Sequence, residues 1–280
     1  MPFWIAAVLG IVEGLTEFLP VSSTGHLILV GHALGVSGDA SKAFEVVIQS
    51  GAMLAVVVHY RKLLAARLLG LLRREPAAMK LAGAILAAFV PTAIAGLLLR
   101  KIIKAYLFRP VPVAVALIVG GVAMIVIERA LSTKPIEGGG DGTKLEDVDM
   151  RRGLLVGVAQ CLSLWPGTSR AMCTIVGGRL TGLTTRVAAE FSFLLAIPVL
   201  AAATALDLAK SGKELVATRD AQLTLVIGFV VSFFVAWGVI ALFLRFLRTR
   251  GLAPFGWYRI ALGLLVLASI RWMGLRFGAP

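Results

Sequence analysis

The chain has few charged residues and few cysteines, and both shortages limit what kind of protein it can be. Charged residues make up only 15% of its 280 positions, whereas hydrophobic residues make up 59%. That balance excludes an ordinary soluble domain. The two cysteines, Cys161 and Cys173, both lie in an apolar stretch. The sequence therefore offers neither a disulfide framework nor a zinc-binding cysteine set.

Sequence signatures for nucleotides and nucleic acids are also missing. There is no Walker A sequence and no GxGxxG after a strand, so ATP-driven or redox chemistry has no support. The net charge of +13 could suit nucleic acid, but the basic residues lie in short loops between apolar runs. They form no basic domain with interleaved aromatics. We therefore expect no nucleic-acid partner, and anionic lipid is the simpler partner of these charges.

Long apolar runs are abundant instead. Those that approach the roughly 20 residues needed to cross a bilayer lie at 43–60, 81–99, 111–127, 187–206, 223–244 and 255–270. A further apolar segment opens the chain and carries Glu13 and Glu17. Because it lacks the basic start and cleavage site of a signal peptide, we expect it to remain in the mature protein.

A polar stretch at 132–152 reads as a solvated linker and divides the chain into two similar halves. GIVEGLTEFLP at 10–20 aligns with GVAQCLSLWP at 157–166 with one gap, and each stretch runs on into a cluster of hydroxyl residues. We therefore predict an internal repeat, with its first copy at 1–131 and its second at 153–280.

Each half opens on an interrupted apolar segment, at about 3–36 and about 153–182. Backbone that leaves the helix at membrane depth must be buried in protein or line a wet cavity, as in a re-entrant helix-loop-helix. Three ordinary spans follow, so the second half is expected to be inserted upside down. The predicted fold is an all-α polytopic membrane protein: an inverted-topology repeat with about six transmembrane helices and two re-entrant segments meeting near mid-membrane.

Lys and Arg residues near the ends of the spans indicate the orientation. They are in mild excess on the side that holds the 61–80 loop and the linker. This places the linker in the cytoplasm and both termini outside, so the first re-entrant loop is expected to enter from the outer face.

Glu13 and Glu17 are four residues apart and would share one helix face inside the membrane. Buried carboxylates are costly there, so such a pair suggests a metal site, a proton site or an acid and base. The alternative is a pair of surface glutamates at a membrane boundary. PVSSTGH at 20–26 adds hydroxyls, of which some would only cap a helix, and a candidate acid, base or nucleophile in His26. The other two histidines are interpreted as structural.

In the second half, PGTSR at 166–170 adds an arginine beside a turn. A guanidinium pairs well with phosphate oxygens, and helix N-terminal amides add donors for an anion. The alternative for Arg170 is snorkelling to the interface or pairing with a glutamate. Candidates for supporting roles around the two clusters are Glu45, Gln49, Gln160 and Glu190.

This combination suits phosphoryl chemistry on an anionic lipid head group. The leading rival is a secondary transporter or lipid flippase, because many transporters have inverted repeats with broken helices. The residue set is more reactive than ion coupling requires. A receptor or scaffold would leave these polar groups as an unexplained cost in lipid.

Four stretches resemble the undecaprenyl pyrophosphate phosphatase family, the bacitracin-resistance proteins BacA or UppP. They are EGLTEFLPVSSTGH at 13–26, FEVVIQ at 44–49, LWPGTSR at 164–170 and EFSFLLAIP at 190–198. The resemblance implies a bacterial inner-membrane enzyme that removes the terminal phosphate of undecaprenyl pyrophosphate. Such an enzyme recycles the lipid carrier for peptidoglycan and confers bacitracin resistance. The orientation taken from the Lys and Arg residues places the site at the periplasmic face, and a homodimer is a further possible partner.

The residue pattern and the resemblance together suggest roles for individual residues of this chain. The catalytic residues would be Glu17, Ser23, His26 and Arg170. The substrate phosphate would be bound by Thr24, Gly167, Ser169, Arg170 and Thr174. A divalent cation, Mg2+ or Ca2+, would be held by Glu13 and Glu17. A phosphohistidine, a Ser23 nucleophile and a directly activated water all stay open.

One departure from the family pattern follows Arg170. The family usually reads Ser-Arg-Ser, whereas this chain continues with Ala171, Met172 and Cys173. We expect the change to remove one hydroxyl and to narrow the pocket.

Overall fold

The computed structural model describes residues 1–36, 39–132, 143–215, 218–247 and 250–272, and the regular structure within them is entirely helical. The α-helices are α1 (Phe3–Thr16), α2 (Ser23–Ala33), α3 (Asp39–His59), α4 (Arg61–Leu72), α5 (Pro76–Tyr106), α6 (Pro110–Ser132), α7 (Met150–Cys161), α8 (Arg170–Leu180), α9 (Thr185–Leu215), α10 (Arg219–Phe246) and α11 (Ala253–Trp272). Short 3₁₀ turns occur at Leu145–Asp147 and Leu162–Leu164.

Within the described residues, five helices, α5, α6, α9, α10 and α11, are long and apolar enough to cross a membrane. They coincide with five of the six predicted runs. The run at 43–60 falls on α3, whose apolar part, Phe44–His59, is shorter than the others. The prediction of an all-α polytopic membrane protein is confirmed.

The two interrupted segments form helix pairs too short to span. With 14, 11, 12 and 11 residues, α1, α2, α7 and α8 are each about 16 to 21 Å long. A bilayer core of about 30 Å exceeds each of them. Leu27 of α2 packs with Ile5, Ala6 and Leu9 of α1, and α7 packs against α8. Both segments are therefore helical hairpins.

The chain forms two compact units, which draw on both sequence halves. The first comprises Met1–Phe18, His26–Met79 and Phe193–Arg245. The second comprises Leu19–Gly25, Lys80–Ser192 and Phe246–Pro280. The repeat boundaries themselves stay a prediction from the sequence.

Within the first unit, α1 lies directly against α10. A Cβ added at Gly10 would lie 2.7 Å from the carbonyl oxygen of Gly228. Within the second unit, α7 lies against α5, and a Cβ at Gly157 would lie 2.3 Å from the carbonyl oxygen of Ala88. These two glycines are aligned in the predicted repeat, so each hairpin packs by its glycine onto a span from the other half.

In the second unit, α6 and α11 form an extensive helix pair. At one end, the Glu128 carboxylate of α6 accepts hydrogen bonds from the main-chain amides of Leu252, at 2.7 Å, and Ala253. A carboxylate at a helix N-terminus satisfies amides that the helix itself leaves without partners. Glu128 therefore fixes the start of α11 on α6.

Candidate functional site

The two glutamates predicted as a pair lie one helical turn apart at the end of α1. The main-chain amide of Glu17 donates to the Glu13 carbonyl at 2.9 Å, so the helical geometry continues through Glu17. The residues are only 1% and 6% exposed. Two buried carboxylates on one face favour a cation or a shared proton between them.

Ser22 caps the N-terminus of α2. Its Oγ accepts a hydrogen bond from the Gly25 amide at 3.4 Å, and its φ is +74°, which is uncommon for a residue other than glycine. The capping interpretation of this hydroxyl cluster is therefore confirmed for Ser22. Ser23 is buried as the first residue of α2, while Thr24 and His26 are half-buried on the same helix.

The second break repeats this arrangement. Ser169 also has a φ of +74°, and its Oγ accepts from the Met172 amide at 3.2 Å, which caps α8. The break turns at Gly167, with φ +96°. Arg170, the first residue of α8, donates from Nη1 to the Ser192 carbonyl of α9 at 3.1 Å. Arg170 thus reaches from the start of α8 to α9, and the start of a helix favours an anion.

Thr174 lies behind Arg170 and is fully buried. Its hydroxyl donates to the Arg170 carbonyl at 2.9 Å and lies 2.6 Å from the Ser192 Oγ. These contacts fasten α8 to α9, which favours a supporting role for Thr174 over direct phosphate contact. The residues that depart from the family pattern, Ala171, Met172 and Cys173, are buried in the same helix.

Arg259 of α11 brings the two breaks together within the second unit. Its Nη1 donates to the Pro20 carbonyl at 3.1 Å, and its Nη2 donates to the Gly167 carbonyl at 2.9 Å. The sequence patterns described above do not single out this residue. The available signal was an arginine inside the apolar run 255–270, because a cation within a membrane span requires partners.

The supporting candidates have separate surroundings. Glu45 and Gln49 are half-buried on α3. Gln160 is fully buried and donates to the Thr92 Oγ1 at 2.9 Å. Glu190 pairs with Arg186 on α9 at 2.9 Å. In the part of the chain that the structure describes, no three His, Cys, Asp or Glu side chains form a metal-binding group.

Fold and site together define a polytopic membrane protein whose two broken helices present hydroxyls, helix N-termini and an arginine. The sequence profile described as "Bacitracin resistance protein BacA" matches residues 6–265. The chain belongs to this family, as its motifs predicted.

Curated relatives agree with this membership. The undecaprenyl-diphosphatase of Sorangium cellulosum is 57% identical over 266 residues, covering 95% of this chain and 86% of its own length. Those of Rhizorhabdus wittichii and Thermoanaerobacter pseudethanolicus are 49% and 46% identical, each over 95% of this chain and 95% and 96% of their own lengths.

Proposed function

We infer that this protein is a membrane phosphatase that hydrolyses undecaprenyl pyrophosphate to undecaprenyl phosphate and inorganic phosphate. The observation that carries this function is the arrangement of the second unit. There, the starts of two helices are held at one guanidinium, and Arg170 stands at the start of α8. Relatives named undecaprenyl-diphosphatase cover nearly the whole chain, which points to the same substrate.

The reaction needs little covalent chemistry from the protein. The oxygen of water becomes bonded to the terminal phosphorus, and the anhydride bond between the two phosphorus atoms breaks at its bridging oxygen. That oxygen leaves with the electron pair on undecaprenyl phosphate, and a base takes the proton of the water. Positioned donors accelerate such a transfer by stabilising charge on the phosphoryl oxygens. Arg170, together with the first amides of α8, supplies these donors.

His26 and Ser23 are the proposed proton-transfer and nucleophilic groups of the first break. Phosphate can pass to water directly, or through a covalent phosphohistidine or phosphoserine that water then hydrolyses. Acid and base quenching of a single turnover decides between these routes, because a phosphoserine survives acid, a phosphohistidine survives base, and direct transfer leaves neither. Full turnover by His26→Ala would remove His26 from all of them.

Glu13 and Glu17 fit a hard divalent cation such as Mg2+ or Ca2+. Mg2+ is commonly held by one or two carboxylates, with substrate phosphate and water as its other ligands. The buried pair on α1 is such a donor set. When bound, the cation supplies charge neutralisation to the pyrophosphate, while the two carboxylates fix its place.

We place the enzyme in the bacterial inner membrane with its site open to the periplasm. The excess of Lys and Arg around the 61–80 loop and the linker supports this orientation. Single cysteines introduced at Lys144 and at Lys101, on opposite predicted sides, should differ in labelling by a membrane-impermeant maleimide in intact cells. Labelling of Lys144→Cys alone would reverse the assignment.

The decisive test is phosphate release from C55 or C15 isoprenoid pyrophosphate by purified protein, with and without EDTA. We expect metal-dependent release that is lost in Glu17→Gln and Arg170→Ala. Arg61→Ala is the matched control, because it removes an exposed arginine whose Nη1 donates to the Val58 carbonyl at the end of α3. Absence of release from folded wild-type protein under varied metals would contradict the function.

A further inference from the structure

The side chain of Arg259 is the largest that is completely buried in the described part of the chain. An arginine inside a membrane span is expensive unless protein groups replace its water. A Leu or Met would fill the same volume between α6 and α11 at lower cost. The presence of a guanidinium here therefore needs a reason beyond filling space.

All hydrogen-bond acceptors of this guanidinium among the described residues are main-chain carbonyls. Two belong to the breaks, at Pro20 and Gly167. The other two belong to α6: the Ala116 carbonyl accepts from Nη2 at 3.1 Å and the Leu117 carbonyl from Nε at 3.4 Å. Because the guanidinium is a rigid planar fork, its bonds fix direction as well as distance.

The two break carbonyls occupy equivalent places. Pro20 stands two residues before Ser22, and Gly167 stands two residues before Ser169. Each of these serines has a φ of +74° and caps the following helix. Both carbonyls lie outside the helices, so Arg259 gives each one a partner that no helix ladder supplies.

The structure also makes specific room for this side chain. Gly120 of α6 faces the guanidinium, and a Cβ added there would lie 2.3 Å from Nη2. At Gly263, on α11 of the same helix pair, an added Cβ would instead lie 2.6 Å from the Ile118 Cγ1. Gly120 therefore leaves room for the Arg259 guanidinium, whereas Gly263 leaves room for the packing of α11 against α6.

We propose that Arg259 is a positioning residue for phosphoryl transfer. Its guanidinium sets the distance and orientation between the capped starts of α2 and α8, so that their donors meet one phosphoryl group. Glu128 already fastens α11 to α6, so the helix pair does not depend on Arg259 alone. This inference rests on the proposed phosphatase function.

The test compares Gly120→Ala, Arg259→Lys and Gly263→Ala by melting temperature, kcat and KM for isoprenoid pyrophosphate. Gly120→Ala keeps the arginine but crowds its guanidinium and, less closely, the end of the Met172 side chain, whereas Gly263→Ala strains the same helix pair elsewhere. We expect kcat/KM to fall on the order of 100-fold in Gly120→Ala and Arg259→Lys, because a shift of the reacting groups by about 1 Å can lower the rate that much. Gly263→Ala should lower the melting temperature but keep kcat/KM within about threefold of wild type, a residual effect of helix strain alone.

Chemical rescue adds a readout that a packing role would not change. Methylguanidinium added to Arg259→Gly should restore part of kcat, and methylammonium at the same concentration should not. Wild-type kcat/KM in folded Gly120→Ala, or an equal loss in Gly263→Ala, would overturn the inference. If wild type and Gly263→Ala both release no phosphate, the proposed function itself fails.

Discussion

The hairpins α1–α2 and α7–α8 share one backbone plan. In each, a glycine lets the first helix lie against a span from the other sequence half. In each, a serine with φ +74° caps the second helix, and the carbonyl two residues earlier bonds to Arg259. The same strained φ at Ser22 and Ser169 indicates that the two hairpins share a role, because such strain persists only where the surrounding structure holds the backbone in place.

The side chains of the two hairpins differ where the backbones agree. The repeat aligns Glu13 with Gln160: the first is a buried carboxylate, and the second is a buried amide that donates to Thr92. When the two capping serines, Ser22 and Ser169, are aligned, the residues that follow them, Ser23 and Arg170, occupy equivalent positions. One hairpin thus carries the anionic groups and the other the cationic group. This difference matches the proposed division of labour, in which the first hairpin would hold the cation and the second the phosphate.

The sharpest way to break this comparison is to make the first hairpin resemble the second with Glu13→Gln. Mutation of residues that merely orient a metal ligand lowers metal affinity or activity about 10- to 100-fold. Because Glu13 is a proposed ligand itself, we expect this variant to lose more activity than that. Phosphate release measured as a function of Mg2+ concentration checks it. Wild-type release at the same Mg2+ concentration would contradict the proposed role of Glu13.

The reverse change, Gln160→Glu, tests the second hairpin. Holding a carboxyl neutral in this buried site at pH 7 should cost about 3 to 4 kcal/mol of stability. The deficit should shrink as the pH falls toward 4, because protonated glutamate resembles glutamine. Melting temperatures across that pH range provide the measurement, with Gln160→Met as an uncharged control. A deficit that does not depend on pH would contradict this account.

The capping serines can be compared by replacing each with alanine or glycine. Loss of a cap by alanine should cost about 1 kcal/mol, and alanine must also adopt the positive φ. Glycine adopts that φ easily, so Ser22→Gly and Ser169→Gly should be more stable than the corresponding alanine variants. Thermal unfolding in detergent measures the order, and equal stability of the two substitutions would exclude backbone strain at these positions.

The smallest expected difference concerns how the two hairpins begin. Helix α1 follows Pro2 without a side-chain cap, whereas the Asp149 carboxylate accepts from the Arg152 amide and caps α7. That hydrogen bond lowers the pKa of Asp149 below its ordinary value of 3.8. A lowered pKa stabilises the fold above the ordinary value, and the benefit disappears as the pH falls through the lowered one.

Asp149→Ala should therefore destabilise the protein by about 0.5 to 1 kcal/mol at pH 7. Below the lowered pKa, the two proteins should have equal stability. Unfolding by denaturant at pH 7 and at successively lower pH, down to about pH 2, measures how the difference declines. A difference that persists unchanged at the lower pH would show that the charge of Asp149 is not what stabilises α7.

Local sequence was sufficient for much of the site. The spacing of Glu13 and Glu17 predicted their common face, and Pro166 with its hydroxyl neighbours predicted the start of α8. Residues three or four apart meet on any helix, whatever the rest of the fold does. The roles of Ser22 and Thr174 were harder to foresee, because the first depends on a positive φ and the second on a contact with Ser192.

The sequence by itself determined the membrane class, the two breaks and the reactive residue types, because hydrophobic run length and helix spacing are local properties. Only the tertiary structure decided that Arg259, more than 230 positions after Pro20, joins both breaks through main-chain carbonyls. A carbonyl is present at every position of the chain. Its partner is therefore chosen by how the helices pack.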